Sequence, residues 1–167
     1  SMNQNDFVKL ITPFKDKLFR LSKRILVSTE EAEDATQEVI LKLWNNKENL
    51  DSYKNIEAFS MTITKNYCLD QLKAKRSGNL KLVHDNYIDR EPSLENQLEV
   101  KDSLNWVEKA INELPEQQKL IIQMRDIEEY EFEEIAKILG DNKRWFSHGR
   151  SIGLQTLQTV LKLKIED

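Results

Sequence analysis

The chain has 167 residues, 39% of them apolar and 32% charged, with only four glycines and three prolines. That length holds one ordinary domain or two small ones, and so few turn-formers among many Leu, Ile, Lys, Glu and Gln point to helices rather than a sheet. A formal net charge of −4 excludes a protein that coats nucleic acid without selectivity, so any DNA contact needs locally concentrated basic residues and a partner that supplies affinity.

Cys68 is the single cysteine, so no internal disulfide can form, which fits a reducing cytoplasm. The N-terminal residues lack the basic stretch and apolar run of a secretion signal, and no segment is apolar enough to insert into a bilayer. The expectation is a soluble, cytoplasmic, all-α protein.

Phe7, Leu10, Ile11, Phe14, Leu18, Leu21 and Ile25 recur at three- and four-residue steps and predict a first amphipathic helix. Pro13 falls inside it and should kink it or start it afresh, because proline cannot donate the backbone bond. Ser28 with Glu31 three residues later reads as a capping box for a second helix, striped by Ala32, Ala35, Val39, Leu43 and Trp44. Asn45 to Asn55 is polar and reads as a loop. A third helix carries Phe59, Ile63 and Tyr67 and ends near Arg76, Ser77 and Gly78.

From residue 79 to 101 apolar residues are sparse and Pro92 interrupts, the pattern of a flexible linker. Periodicity returns with Leu104, Val107, Ile111 and Leu114, and Pro115 fits the first turn of a further helix whose buried face is Leu120, Ile121 and Met124. A short helix from Phe132 to Leu139 precedes Gly140, and a last helical segment ends near Leu163. The organisation is two small helical domains, residues 5–78 and 102–165, joined by the linker.

Three constellations carry chemistry. Asp34, Gln37 and Glu38 stand at i, i+3 and i+4, so three acceptors share one exposed helix face, suited to a basic partner helix; the bland alternative is a solvated acidic face. Lys65, Asn66, Lys73, Lys75 and Arg76 crowd the second half of the third helix with Phe59 and Tyr67 between them. A basic face interleaved with aromatics can follow phosphates while stacking unpaired bases, or merely solubilise a core helix. Finally, Phe132 to Gly140 has the form of the first helix and turn of a helix-turn-helix: Ala136 is small where a second helix crosses, and Gly140 can take the positive φ of a tight turn. Lys143, Arg144, Ser147, His148 and Arg150 follow, where a recognition helix would meet phosphates and bases.

In this order and spacing the three pieces resemble the sigma-70 family, and within it the short extracytoplasmic-function group that keeps only the second and fourth sigma domains. Glu33-Asp34-Ala35-Thr36-Gln37-Glu38-Val39 with Leu41, Leu43 and Trp44 is similar to the family's polymerase-docking signature. The resemblance implies that Asp34, Gln37 and Glu38 contact the clamp coiled coil of core RNA polymerase. Ala58-Phe59 through Ile63-Thr64-Lys65-Asn66 and Leu69-Asp70-Gln71-Leu72-Lys73 is similar to the helix that opens the promoter −10 element. By that match Lys65 and Asn66 face the melted strand, Lys73, Lys75 and Arg76 lie on nearby phosphates, and the loop from Asn45 to Asn55 helps hold a flipped base.

Leu114-Pro115-Glu116-Gln117-Gln118, Glu134-Ile135-Ala136 and Leu139-Gly140 resemble the fourth domain, which reads the −35 element and packs on the polymerase flap. The resemblance further implies an inhibitory anti-sigma partner; no cysteine cluster or His-Glu-x-x-His spacing offers a metal site, and no cofactor is expected. The last helix departs from the family pattern. Gly149 and Gly153 each cost about 1 kcal/mol within a helix, Arg150 stands where a buried leucine is expected, and Ile152 where an arginine is. Altered promoter preference, a weakened −35 contact and a scrambled reading frame each account for it.

An enzyme is disfavoured: there is no glycine-rich phosphate loop, no nucleophile elbow and no His-Glu-x-x-His spacing, and His84 and His148 are far apart. A stand-alone helix-turn-helix repressor would want a dimer surface and leaves the acidic helix unexplained. The nearer alternative is a sigma-like regulator that binds polymerase or an anti-sigma partner with weakened or lost −35 recognition.

Overall fold

The computed structural model describes residues 2–78 and 103–140, and these form six α-helices with no strand among them. Helices α1 (Gln4–Leu26), α2 (Thr29–Asn45) and α3 (Ile56–Gly78) make an N-terminal bundle. Helices α4 (Ser103–Asn112), α5 (Glu116–Ile122) and α6 (Phe132–Leu139) make a C-terminal unit. The linker, the segment from Asp141 onward with its five candidate DNA residues, and Trp145 lie outside the described residues.

Local chemistry sets the helix starts. Asn3 accepts the Asp6 N–H at 2.9 Å, Ser28 accepts the Glu31 N–H at 3.3 Å, and Asn55 accepts the Ala58 N–H at 3.0 Å. Each cap satisfies a donor that the first turn leaves orphaned. Of the kink or fresh start expected at Pro13, the fresh start does not occur: α1 is a single helix through it. Pro13 faces solvent, as does Lys9, whose carbonyl loses its intrahelical donor and can turn to water instead. Phe7 and Ile11 before the proline and Phe14 and Leu18 after it are all buried, so packing on both sides keeps the two turns in one helix.

Asn46 to Asn55 is less of a plain loop than its polarity suggests. Lys47–Ser52 forms a 3-10 turn, and Leu50 in its middle is fully buried. Pro115 precedes α5 as its cap residue with φ −51° and ψ 145°, one position earlier than the expected first turn. After α5 the chain widens through Gln123–Ile127, where the Glu128 N–H reaches back five residues to the Gln123 carbonyl at 3.0 Å. Gly140 closes α6 in the left-handed region (φ 74°, ψ 20°), its N–H bonded to the Ala136 carbonyl at 2.8 Å.

The core runs through both units. Phe7, Ile11, Phe14, Leu18, Leu21, Ile25, Val39, Leu43 and Met61 of the bundle join Leu120, Ile121, Met124, Tyr130, Ile135 and Ile138 in one continuous cluster. Among the described residues of the C-terminal unit, Ala110, Ile111, Leu114 and Ile122 form a separate small cluster. A fully buried Leu or Ile contributes about 2 kcal/mol, so among the described residues the larger share of that unit's apolar stabilisation lies in the cluster it shares with the bundle. Sequence periodicity marks both helical units but not this seam.

Candidate nucleic-acid interface

Helices α2 and α3 lie side by side, held by Ala35, Val39 and Leu43 from one and Ala58, Met61 and Cys68 from the other. Burying those faces turns the remaining faces outward. On α2, Asp34 and Gln37 are exposed and Glu38 is half-buried. The three share one face as their spacing requires, and that face borders α3. The Tyr67 hydroxyl is pushed above its ordinary pKa by burial first, then by the negative charges of Glu38 and Asp34. Lys42 sits over the same ring, 4.8 Å from its centre. The acidic face of α2 and the start of the basic half of α3 therefore meet around Tyr67.

The sequence-predicted basic residues of α3 are in unequal states. Asn66, Lys73 and Arg76 are exposed. Lys75 forms an ion pair with Glu31 in the first turn of α2, so its charge already braces the bundle. Lys65 is half-buried and donates to the Ile138 carbonyl at 3.0 Å, in the last turn of α6. Phe59 and Ile63 are half-buried against the core. Ahead of α3, Tyr53 is exposed and stacks on Phe59 with ring centres 3.9 Å apart and planes 16° from parallel. Asn46, Asn49 and Ser52 are tied to one another, the Asn49 amide donating to Asn46 Oδ1 at 2.8 Å and the Ser52 hydroxyl to the Asn49 carbonyl at 2.6 Å. This loop thus presents an aromatic face from a hydrogen-bonded frame.

Two features escaped the reading by periodicity. Beside the α2 acidic face a groove of about 820 Å³ runs between α1 and α2, lined in part by Val8, Phe19, Gln37, Ile40, Leu41 and Trp44. Val8 and Leu41 are half exposed there; their exposure on an amphipathic pattern was the available signal. Trp44 packs edge-on against Phe7 at 5.2 Å with Lys47 over its other side at 4.1 Å. The second feature is a polar seam between the units. Arg20 grips Glu128 with two bonds of 2.8 and 2.6 Å, while Arg24 reaches Gln123, Glu108 and Asn112.

Among the described residues no cluster of His, Cys, Asp and Glu could hold a metal ion, and no helix is long and apolar enough to cross a membrane.

Comparison with known proteins gives this geometry its context. The Sigma-70 region 2 family model matches residues 10–78, and the Sigma-70, region 4 model matches residues 104–142. The ECF RNA polymerase sigma factor SigW of Bacillus subtilis (strain 168) is 23% identical over 154 residues, covering 82% of this chain and 79% of that protein. The ECF RNA polymerase sigma factor SigK of Mycobacterium bovis (strain BCG / Pasteur 1173P2) is 28% identical over 82 residues, 48% of this chain and 44% of that protein.

In fold, the chain is similar to CnrH solved in complex with the cytosolic domain of CnrY. The TM-score is 0.71 at 16% identity, over 96% of this chain and 90% of that one. It is likewise similar to the sigma factor RpoE in complex with the anti-sigma factor NepR from Bartonella quintana, with TM-score 0.70 at 23% identity, over 94% and 97% of the two chains. With the two sigma-70 models matching in turn over residues 10–78 and 104–142, the chain belongs to the sigma-70 family, in its extracytoplasmic-function group.

Proposed function

We propose that the protein is a transcription initiation factor that docks on the clamp coiled coil of core RNA polymerase through Asp34, Gln37 and Glu38 and opens the promoter −10 element with α3. The observation that carries it is the pairing of two unlike faces in one rigid bundle. Acceptors on α2 offer charge-assisted bonds to a basic helix, and exposed Asn66, Lys73 and Arg76 follow the phosphates beside them. Tyr53, stacked on Phe59, gives an unpaired base a surface to rest on. Melting is then driven by binding energy: bases trapped outside the duplex are withdrawn from re-pairing, and no bond is made or broken. The C-terminal unit would sit on the flap and carry the −35 contact through Lys143, Arg144, Ser147, His148 and Arg150. The domains 5–78 and 102–165 are the working pieces of this proposal, with 79–101 between them.

An anti-sigma partner belongs to the same proposal, supported by the similarity to a sigma factor solved with one. A protein of this kind works beside DNA and polymerase in the cytoplasm and performs no chemistry of its own.

Asp34→Lys with Glu38→Lys is expected to abolish binding to core polymerase while helicity and melting temperature stay as in the parent chain; unchanged core binding would sink the clamp assignment. Lys73→Ala with Arg76→Ala is expected to weaken promoter binding by the assembled holoenzyme. It should also flatten the dependence of log affinity on log salt by about 2, one counterion-release step per phosphate contact. An unaltered slope would remove both residues from the phosphate path. Transcription by core polymerase over a pool of promoter fragments reads the −10 and −35 preferences directly.

A further inference from the structure

Where the last two turns of α1 meet α4 and the wide turn after α5, the surface dips into a recess of about 160 Å³. Arg20, Lys23 and Arg24 reach it from one side of α1, at i, i+3 and i+4. Glu108 and Asn112 of α4 and Gln123 of the turn complete its polar lining, and Phe19 and Ile127 give it apolar walls. Pockets for drug-sized molecules run to about 300–1,000 Å³, so this recess takes a group of a few heavy atoms.

Arg24 makes the recess a built anion site. Its side chain is 6% exposed and held in place from two directions, Nε donating to Gln123 at 2.8 Å and Nη1 to Asn112 at 3.0 Å. Onto the two terminal nitrogens Glu108 lays both its carboxylate oxygens, at 2.9 and 3.3 Å. A guanidinium fork so oriented fits phosphate as well as it fits carboxylate. The Glu108 side chain is 56% exposed, so the group that fills the fork hangs from the solvent side and can be displaced into water.

The surrounding charge favours that displacement. Glu128 is committed to two bonds from Arg20 and a third from the Gln123 amide, which leaves Arg20 Nη1 without an acceptor among the described residues. The Lys23 amine donates to the Thr29 hydroxyl, a neutral group, and no carboxylate among the described residues balances its charge.

We propose that Arg24, Lys23 and the unspent edge of Arg20 form a binding site for a small phosphorylated ligand, with the Glu108 carboxylate standing in for its phosphoryl group when the chain is alone. A bound phosphate takes two bonds from the Arg24 fork, one from the Lys23 amine and one from Arg20 Nη1, while Glu108 turns to water. All four bonds are charge-assisted, and a dianion answers the excess positive charge that a single carboxylate leaves. Neither the acidic face of α2 nor the basic half of α3 takes part, so the site stands whether or not those helices meet polymerase and promoter.

The test titrates the full chain with inorganic phosphate, with glycerol phosphate and with acetate, in chloride buffer at fixed ionic strength, reading heat of binding and Tm. Phosphate should bind saturably and raise Tm in step with its occupancy, and acetate should bind more weakly. Tighter binding of the ester would make the ligand a phosphorylated small molecule, and tighter binding of the free ion would make it phosphate itself; both uphold the site. Lys23→Gln should weaken binding about ten-fold, the loss of one charge-assisted bond. Arg24→Lys, which keeps the charge and loses the fork, should abolish it.

Glu108→Gln is the decisive variant. A neutral amide competes for the fork less well than a carboxylate, so phosphate should bind roughly five-fold tighter, even though the Arg24–Glu108 ion pair is gone. A pair that serves structure alone gives a lower Tm and no gain in affinity. The site is overturned by the absence of saturable heat in the parent chain, by a rise in Tm that chloride reproduces at equal ionic strength, or by a Glu108→Gln chain that binds phosphate no tighter.

Discussion

Cys68 and Gly140 are positions where one side chain, or its absence, has a measurable consequence. Cys68 is fully buried in the middle of α3, and burial pushes its thiol from about 9 up to about 11, an effect that a hydrogen bond with Ser22 partly offsets. The folded chain therefore keeps its proton at a pH where the unfolded chain has lost it. Stability from this group is complete below pH 9 and drains away as the pH rises toward 11, by about 2–3 kcal/mol in all. Urea melts at both ends of that window should show the loss, and Cys68→Ala should flatten it. A native thiol that reacts readily with a thiol-specific reagent at pH 8 would contradict the burial.

Gly140 is the opposite case: nothing lies within 4 Å of the Cβ that alanine would add, so its cost is the positive φ of 74° alone. Gly140→Ala should lower stability by about 1 kcal/mol. That corresponds to a fall in Tm of about 2–4 °C for a chain of this size, and Gly140→Asn should recover part of it.

Elements were legible in the sequence to the extent that their cause was local. Helix α6 begins at Phe132 and ends at Leu139, as expected, because its apolar spacing and Gly140 both act within a few residues. The cap at Ser28 was legible for the same reason. The fresh start that Pro13 suggested does not occur because the lost bond is one local term, whereas here core packing on either side continues the helix. The turn around Leu50 was missed because a single apolar residue in a polar run has no period to detect.

That residue anchors the turn that presents Tyr53, whose N–H bonds to the Leu50 carbonyl at 3.1 Å. Leu50→Ala should cost about 3 kcal/mol as a buried large-to-small change. It should also loosen the loop, seen as faster amide exchange at Asn49 through Tyr53 than elsewhere in the bundle. A stability loss with exchange unchanged there would make Leu50 a core residue and nothing more. The candidate site divides the same way. Asp34, Gln37 and Glu38 could be placed on one face by spacing, but the engagement of Lys65 with Ile138 and of Lys75 with Glu31 could not. Those partners are fixed by tertiary packing.

At the scale of the molecule the least legible feature is the seam, since its partners are 84 to 108 residues apart and charged residues on a helix read as solvated until the other side is seen. Its energetic consequence follows from where the apolar residues go. Among the described residues the C-terminal unit has a separate cluster of four buried side chains, while its larger ones share the bundle's cluster. The whole described structure should therefore unfold as one cooperative unit, with calorimetric and van't Hoff enthalpies in agreement.

Tyr130 is the side chain on which that coupling can be tested. It is 4% exposed, Lys17 of α1 lies 4.9 Å from the centre of its ring, and its hydroxyl is driven far above the ordinary tyrosine range by burial and then by Glu57 of α3. It therefore belongs to the C-terminal unit by sequence and to the bundle by environment. Tyr130→Ala opens a cavity at the seam and should cost about 3–5 kcal/mol. The expected signature is a change of form as well as a lower Tm: the single calorimetric peak should divide, with a weak early transition from the C-terminal helices and a later one from α1 to α3. Two transitions in the parent chain would show that the shared core does not couple the units. A single peak retained in Tyr130→Ala would move the coupling from the apolar layer to the arginine seam, where Arg24 becomes the side chain whose loss must divide it.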